Sequence, residues 1–286
     1  MVETIAPETT IGEVQLTVAD LDRSLEYYQG ALGFQVISRE GDQLALGAGG
    51  KRLLTLVAKP GARAVPGVTG LYHLAVLLPD RRSLARLIYH LAENEIEVAG
   101  VADHGVSEAI YLSDPDGNGI EMYSDRRKNE WPRDDIGKLQ MGTEELNLDD
   151  LLLELRDGVT PYEGLPEGTV VGHIHLRVSN LPETDRFYRE ILGFDLTTRY
   201  GSAAMFFSAG GYHHHVGVNT WAGIGAPPPP PDSVGLRWFE IVLPGQEALD
   251  AVLSRLKAAG WAYEEQAGGI FVRDPSGNGF LLTTRR

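Results

Sequence analysis

Ile11–Phe34 reads IGEVQLTVADLDRSLEYYQGALGF, Val171–Phe194 reads VGHIHLRVSNLPETDRFYREILGF, and the two align without a gap. Each begins with residues that alternate apolar and polar, the period-2 pattern of a strand with one buried face. A turn with Asp20 or Asn180 follows, then an amphipathic stretch of near-3.6 period with paired aromatics, then Leu-Gly-Phe. The change of period predicts a strand followed by a helix, used twice. Gly33 and Gly193 suit the left-handed residue that ends such a helix. Short strands are predicted next, at Gln43–Leu46 with Arg52–Val57 and at Ala203–Phe207 with Tyr212–Val218.

Working outward, a second pair of segments matches. Gly70–Pro79 reads GLYHLAVLLP and Gly235–Pro244 reads GLRWFEIVLP. Each leads into a predicted helix, near Arg82–Asn94 and Glu247–Ala259, and closes on DPDGNGIEMY from Asp114 or DPSGNGFLLT from Asp274. Asp-Pro-x-Gly-Asn-Gly is a tight-turn sequence in which Gly supplies positive φ. The chain is therefore read as four βαβββ modules, at 11–60, 70–125, 170–220 and 234–284, of α+β class. By sequence it divides into residues 1–126 with modules one and two, a linker at 127–169, and residues 170–286 with modules three and four. The linker carries WPRDD and an acidic-apolar stretch, ELNLDDLLLEL, that suits a short helix. Between modules three and four the five prolines ending at Pro231 read as a stiff strut.

Composition narrows the function classes. A formal net charge of −15 disfavours a nucleic-acid partner, since phosphate binding wants a basic face. There is no cysteine, so a metal would have to be held by His, Asp or Glu. No apolar run approaches the ~18 residues of a membrane span and Met1–Thr10 lacks the pattern of a signal peptide, so a cytoplasmic protein without membrane contact is expected.

With these modules and turns the chain resembles the vicinal-oxygen-chelate superfamily, which includes glyoxalase I, extradiol dioxygenases and bleomycin-resistance proteins. Within it the likeness is greatest to the two-domain catechol 2,3-dioxygenase group. The resemblance implies that modules pair into two incompletely closed eight-stranded barrels. It also implies that metal ligands come from the first strand of each module and the last strand of one or both.

At the first-strand position the four modules offer Glu13, His73, His173 and Trp238, and at the last-strand position Glu121 of module two faces Leu281 of module four. If sequence neighbours pair, one barrel holds Glu13, His73 and Glu121, a glyoxalase-like set. If module two instead pairs with module three, one barrel collects His73, His173 and Glu121, the two-His, one-carboxylate triad of non-haem Fe(II) oxygenases. The long linker permits that pairing within one chain, and a swapped homo-oligomer would collect the same residues.

The remaining candidates favour the second pairing. The resemblance places a Tyr ten residues ahead of the ligand Glu, which is Tyr111, and a His before it, which is His104. It places a catalytic His in the last strand of module three, where His214 aligns in YHHHVGV, and His175 shares the strand face of His173. Strand alternation assigns His213 and His215 to the outer face. Glu13 is read as a remnant, and Trp221 and Trp238 as packing residues. The expected activity is extradiol cleavage of a small aromatic diol by O₂ on Fe(II), with Mn(II) as the alternative ion. A glyoxalase-type isomerase or thiol transferase and a metal-free aromatic drug-binding protein are the rival readings.

Overall fold

The computed structural model describes residues 4–158, 160–266 and 268–285. Module one runs β1 (Thr10–Val18), α1 (Leu21–Leu25), β2 (Gln35–Glu40), β3 (Gln43–Ala48) and β4 (Lys51–Ala58). Module two runs β5 (Gly70–Leu77), α2 (Arg81–Glu93), β6 (Gly100–Asp103), β7 (Ser107–Ser113) and β8 (Gly119–Asp125). The linker holds α3 (Leu148–Leu152), within the stretch expected to be helical. Module three runs β9 (Val170–Arg177), α4 (Leu181–Asp185), β10 (Asp195–Tyr200), β11 (Ala204–Ser208) and β12 (Val216–Asn219). Module four runs β13 (Gly235–Leu243), α5 (Gln246–Ala258), β14 (Tyr263–Gln266), β15 (Gly269–Arg273) and β16 (Gly279–Thr284).

The strands form two eight-stranded sheets, β14-β15-β16-β13-β1-β4-β3-β2 and β10-β11-β12-β9-β5-β8-β7-β6. Each sheet draws one module from either side of the linker: one with four, and two with three. Modules two and three meet within a single chain through the antiparallel pair β5–β9, which settles the choice between the two pairings. The other sheet is joined by the antiparallel pair β1–β13. Alternation on β1 buries Val14, Leu16 and Val18 completely, and Phe194, Phe207, Phe239 and Phe280 from both sheets share one core with them.

The helix expected after the first strand is shorter than its sequence pattern. In modules one and three, α1 and α4 pass into π-helical turns, Glu26–Ala31 and Arg186–Ile191. Asp20 and Asn180 cap the starts, Asp20 accepting from the N–H groups of Asp22 and Arg23 and Asn180 from that of Glu183. The second aromatic of each pair ties the π turn to the next module. Tyr28 donates to Asp114 at 3.0 Å, and Tyr188 to Asp274 at 3.4 Å. Each Asp also accepts two backbone N–H groups and one Asn amide within its own turn. That network fixes the turn leading into the last strand of modules two and four. The proline run lies against the rest of the chain, Pro227 O accepting from Thr69 N–H and Pro231 O from Lys59 Nζ.

Candidate active site

The central strands β5 and β9 and the neighbouring β8 bring the ligand candidates together. Ala75 of β5 stands opposite Glu121 on β8 and opposite His173 on β9, while His73 lies two residues earlier on the same face. Ala75 is fully buried and small, so three longer side chains can close over it. Glu121 Oε2 lies 3.0 Å from His73 Nε2 and 3.2 Å from His173 Nε2. One nitrogen or oxygen from each of the three groups lies within 4.8 Å of the others.

That spacing suits a shared cation. Donor atoms about 2.1 Å from one ion sit about 3 Å apart when they subtend a right angle, which matches both contacts to Glu121. The buried Nε2 of His73 is close to the carboxylate yet makes no hydrogen bond of acceptable angle, so it converges on the same space without being satisfied by its neighbour. A buried nitrogen left in that state calls for another partner. Burial opposes ionisation of Glu121, but the charges of His173 and His73 and the hydrogen bond from His173 outweigh it and hold the carboxyl well below the usual range. Burial is the main influence on His173 and pushes its imidazole down to about 4, leaving it a neutral donor at pH 7. The residues present thus fit a divalent ion of borderline hardness held by two imidazoles and a carboxylate.

His214 packs its ring against His173, with centroids 4.1 Å apart. Its Nδ1 lies 2.9 Å from Nδ1 of His213, whose Nε2 lies 2.9 Å from Asp125 Oδ1. Of the three histidines only His214 lines the cavity, and the outer-face reading of His213 and His215 is corrected only in that both are buried, 0% and 6% exposed. The physical reason is that β12 begins only at Val216, so the three histidines occupy the preceding loop and do not alternate. His215 N–H bonds Phe207 O, its own carbonyl takes Ile174 N–H, and its Nδ1 accepts from Ala209 N–H, which makes it a structural residue. With Asp125 ionised, His213 donates Nε2–H to it and its Nδ1 accepts Nδ1–H of His214. The free nitrogen of His214 is then an unprotonated Nε2. Asp125 lies four residues after Glu121 on the same strand face, a spacing that could have flagged it from the sequence.

Tyr111 and His104 form a second hydrogen-bonded unit at the cavity wall. His104 Nδ1 is 2.8 Å from Gly142 O, and its Nε2 is 2.6 Å from Tyr111 Oη. A carbonyl only accepts, so Nδ1 carries a proton; in the neutral ring Nε2 then accepts the Tyr111 hydroxyl proton. Tyr111 keeps its oxygen lone pairs for another donor, and burial, followed by the nearby Glu121 charge, raises its pKa and keeps it a phenol. The linker holds His104 in place, since Asp103 and Glu144 exchange backbone hydrogen bonds beside it.

His175 also faces the cavity, where it meets Tyr72, His73 and Trp221. Asn219 Nδ2 lies 3.0 Å from its Nε2, so that nitrogen accepts and Nδ1 carries the proton. The cavity they enclose is about 400 Å³ and also takes in Met141, Gly142 and Thr143 of the linker and Trp221. The sequence reading of Trp221 as a packing residue is corrected: it is 51% exposed and lines the cavity. Glu13, by contrast, stands on β1 of the other sheet, where Thr55 donates to its carboxylate.

Comparison with known proteins agrees with the fold. The model of the Glyoxalase/Bleomycin resistance protein/Dioxygenase superfamily matches residues 10–122 and again 170–282. A Bacillus subtilis (strain 168) protein named catechol-2,3-dioxygenase is 47% identical over 281 residues, spanning 97% of this chain and 98% of its own. Among solved structures, glyoxalase I of Zea mays is similar with a TM-score of 0.58 at 16% identity, covering 97% of this chain and 92% of that one. The cppA protein of Streptococcus pneumoniae TIGR4 is similar at 0.57 and 13% identity, covering 96% and 99%. At such identities these two structures speak for the fold alone.

Proposed function

This chain belongs to the Glyoxalase/Bleomycin resistance protein/Dioxygenase superfamily, and we propose that it is an Fe(II)-dependent extradiol dioxygenase that opens a catechol-like ring beside its vicinal hydroxyls. The observation that carries this reading is the convergence of His73, His173 and Glu121 in a cavity that also holds His214, Tyr111, His104 and His175. The near-full-length similarity to a protein named catechol-2,3-dioxygenase supports it. His73, His173 and Glu121 would hold the ion, with Mn(II) as the alternative to Fe(II). When bound, such an ion would supply Lewis-acid and redox chemistry toward a vicinal diol and O₂.

The chain's own groups then handle protons and orientation. Tyr111, its proton committed to His104, accepts a hydrogen bond from a ring hydroxyl and fixes the diol's orientation. His214 Nε2 takes the proton that a hydroxyl must lose and returns it when the ring opens. Asp125 and His213 hold the His214 tautomer that makes this direction of transfer available. His175, tied to Asn219, forms a wall beside His73 and restricts how the ring can tilt.

The rivals are less well served by the geometry. A glyoxalase-type donor set would need Glu13, which stands in the other sheet. A plain aromatic-binding cavity is mostly apolar with a few polar groups, whereas this one has five histidines on its walls. The test is oxygen-electrode and absorbance measurement of catechol turnover by protein purified and loaded with Fe(II) without oxygen. Oxygen uptake with formation of a coloured ring-opened product is expected, together with loss of both metal and turnover in His73→Ala. Full activity in that variant would refute the assignment.

A further inference from the structure

Resting on the ring-cleavage reading, we propose that the cavity selects catechols bearing an uncharged apolar substituent and rejects those bearing a carboxylate. Three observations carry this. The first is size. An apolar cavity of about 150 Å³ is enough for benzene, so about 400 Å³ leaves room beyond the ring and its hydroxyls. The second is the wall. Apart from the histidines and Glu121, the surroundings include Val106, Met141, Ala204, Phe206, Tyr200 and Trp221. Trp221 and Tyr200 are 51% and 55% exposed while His73, His173 and Glu121 are buried, so the aromatic pair marks the mouth and the ligand triad the floor. A ring whose hydroxyls sit on the floor directs its substituent along the apolar wall toward the mouth.

The third is charge. Among the described residues no lysine or arginine lines the cavity. Arg177 is near, but it lies over the Tyr72 ring at 5.3 Å with a guanidinium nitrogen bonded to Leu71 O at 2.6 Å. A carboxylate on that substituent would therefore lie along the wall with no lysine or arginine to pair it, and taking it out of water without one is disfavoured. The net charge of −15 adds a long-range field of the same sign. An alkyl group gains instead: about 0.8 kcal/mol for each buried methylene, or about fourfold in affinity.

Calorimetric titration of the Mn(II)-loaded protein under nitrogen tests the order of affinities without turnover. The probes are catechol, 3- and 4-propylcatechol, and 2,3- and 3,4-dihydroxybenzoate. At least one propylcatechol should bind more than fourfold tighter than catechol, and both benzoates at least about tenfold weaker. Trp221→Arg, which places a cation at the mouth, should bring the benzoates to within a few-fold of catechol and weaken the propyl compounds. Benzoates binding as tightly as the propylcatechols, or an order unmoved by Trp221→Arg, would overturn the proposal. Binding in the expected order with no O₂ consumed in air by the Fe(II)-loaded protein would overturn ring cleavage and leave the selectivity standing. Binding of none of the probes would overturn both.

Discussion

Acidification should destabilise the metal-free protein. Four imidazoles are pushed down, burial being the largest cause for each: His173 to about 4, His215 to about 3, and His175 and His214 well below the ordinary range. Folded rings stay neutral as the pH falls while unfolded rings, with pKa near 6.5, take up protons. Stability is therefore lost from about pH 6.5 downward until the folded values are reached. Between pH 8 and pH 5 His173 and His215 each favour the unfolded chain by about 2 kcal/mol, and His175 and His214 act in the same direction. Asp274 acts in the opposite sense. Burial raises its carboxyl to about 6, so the folded state binds that proton first and recovers about 1 kcal/mol over the same window. For His173 and His215 set against Asp274 the net loss is about 3 kcal/mol, to be compared with a total stability of about 5–15 kcal/mol for an ordinary domain. Urea unfolding of chelator-treated protein, followed by circular dichroism at pH 8, 7, 6 and 5, measures it. His215→Gln, which removes one titrating ring outside the cavity, should reduce the loss by about 2 kcal/mol. A stability level across this range would mean that the rings are already charged or hydrated when folded, and the neutral-donor description of the site would fall with it.

Gly172→Ala should cost about 1–3 kcal/mol and weaken metal binding, because a Cβ there would lie 1.8 Å from Tyr123 Oη, whose ring packs on His173; thermal melts and metal analysis read the two effects, and an unchanged variant would refute the crowding. His213→Phe keeps the ring's volume but frees His214, so kcat should fall by about 10²-fold or more with bound metal and KM little changed; a normal kcat would remove the positioning role of the Asp125–His213 pair. Glu13→Gln should leave catechol turnover within about twofold, and a loss beyond tenfold would restore the glyoxalase-type donor set.

The repeat was legible because strand register, turn chemistry and ligand position are all tied to the same period. His73 and His173 stand at the same first-strand place in their modules and Glu121 at the last-strand place where module four has Leu281, and the resemblance to the vicinal-oxygen-chelate superfamily made those places the candidate ligand positions. The same comparison showed module four carrying Trp238 and Leu281 at these places, which left modules two and three as the richer pair. Pairing within one chain was not legible, because the linker is long enough for either arrangement; the β5–β9 ladder decides it.

What escaped the sequence lies where periodicity stops. Alternation reads His213 as an outer-face strand residue, whereas its segment is a buried loop, anchored by Thr197 Oγ1 donating to His213 O and by His215 N–H donating to Phe207 O. Met141, Gly142 and Trp221 reach the cavity from irregular segments whose course no local pattern encodes. The same division runs through the chemistry. The triad sits on central strands, held by neighbours on both sides, whereas the substrate space is enclosed both by strand residues such as Tyr111, His175 and Phe206 and by Met141, Gly142, His214 and Trp221 from the linker and the loops around module three. Substitutions of the triad should therefore act on metal retention, and substitutions of the loop residues on which ring is accepted and how its proton is moved. Divergence among relatives of the same fold can then proceed in the loops without disturbing the cation, because the two kinds of residue are supported by different parts of the backbone.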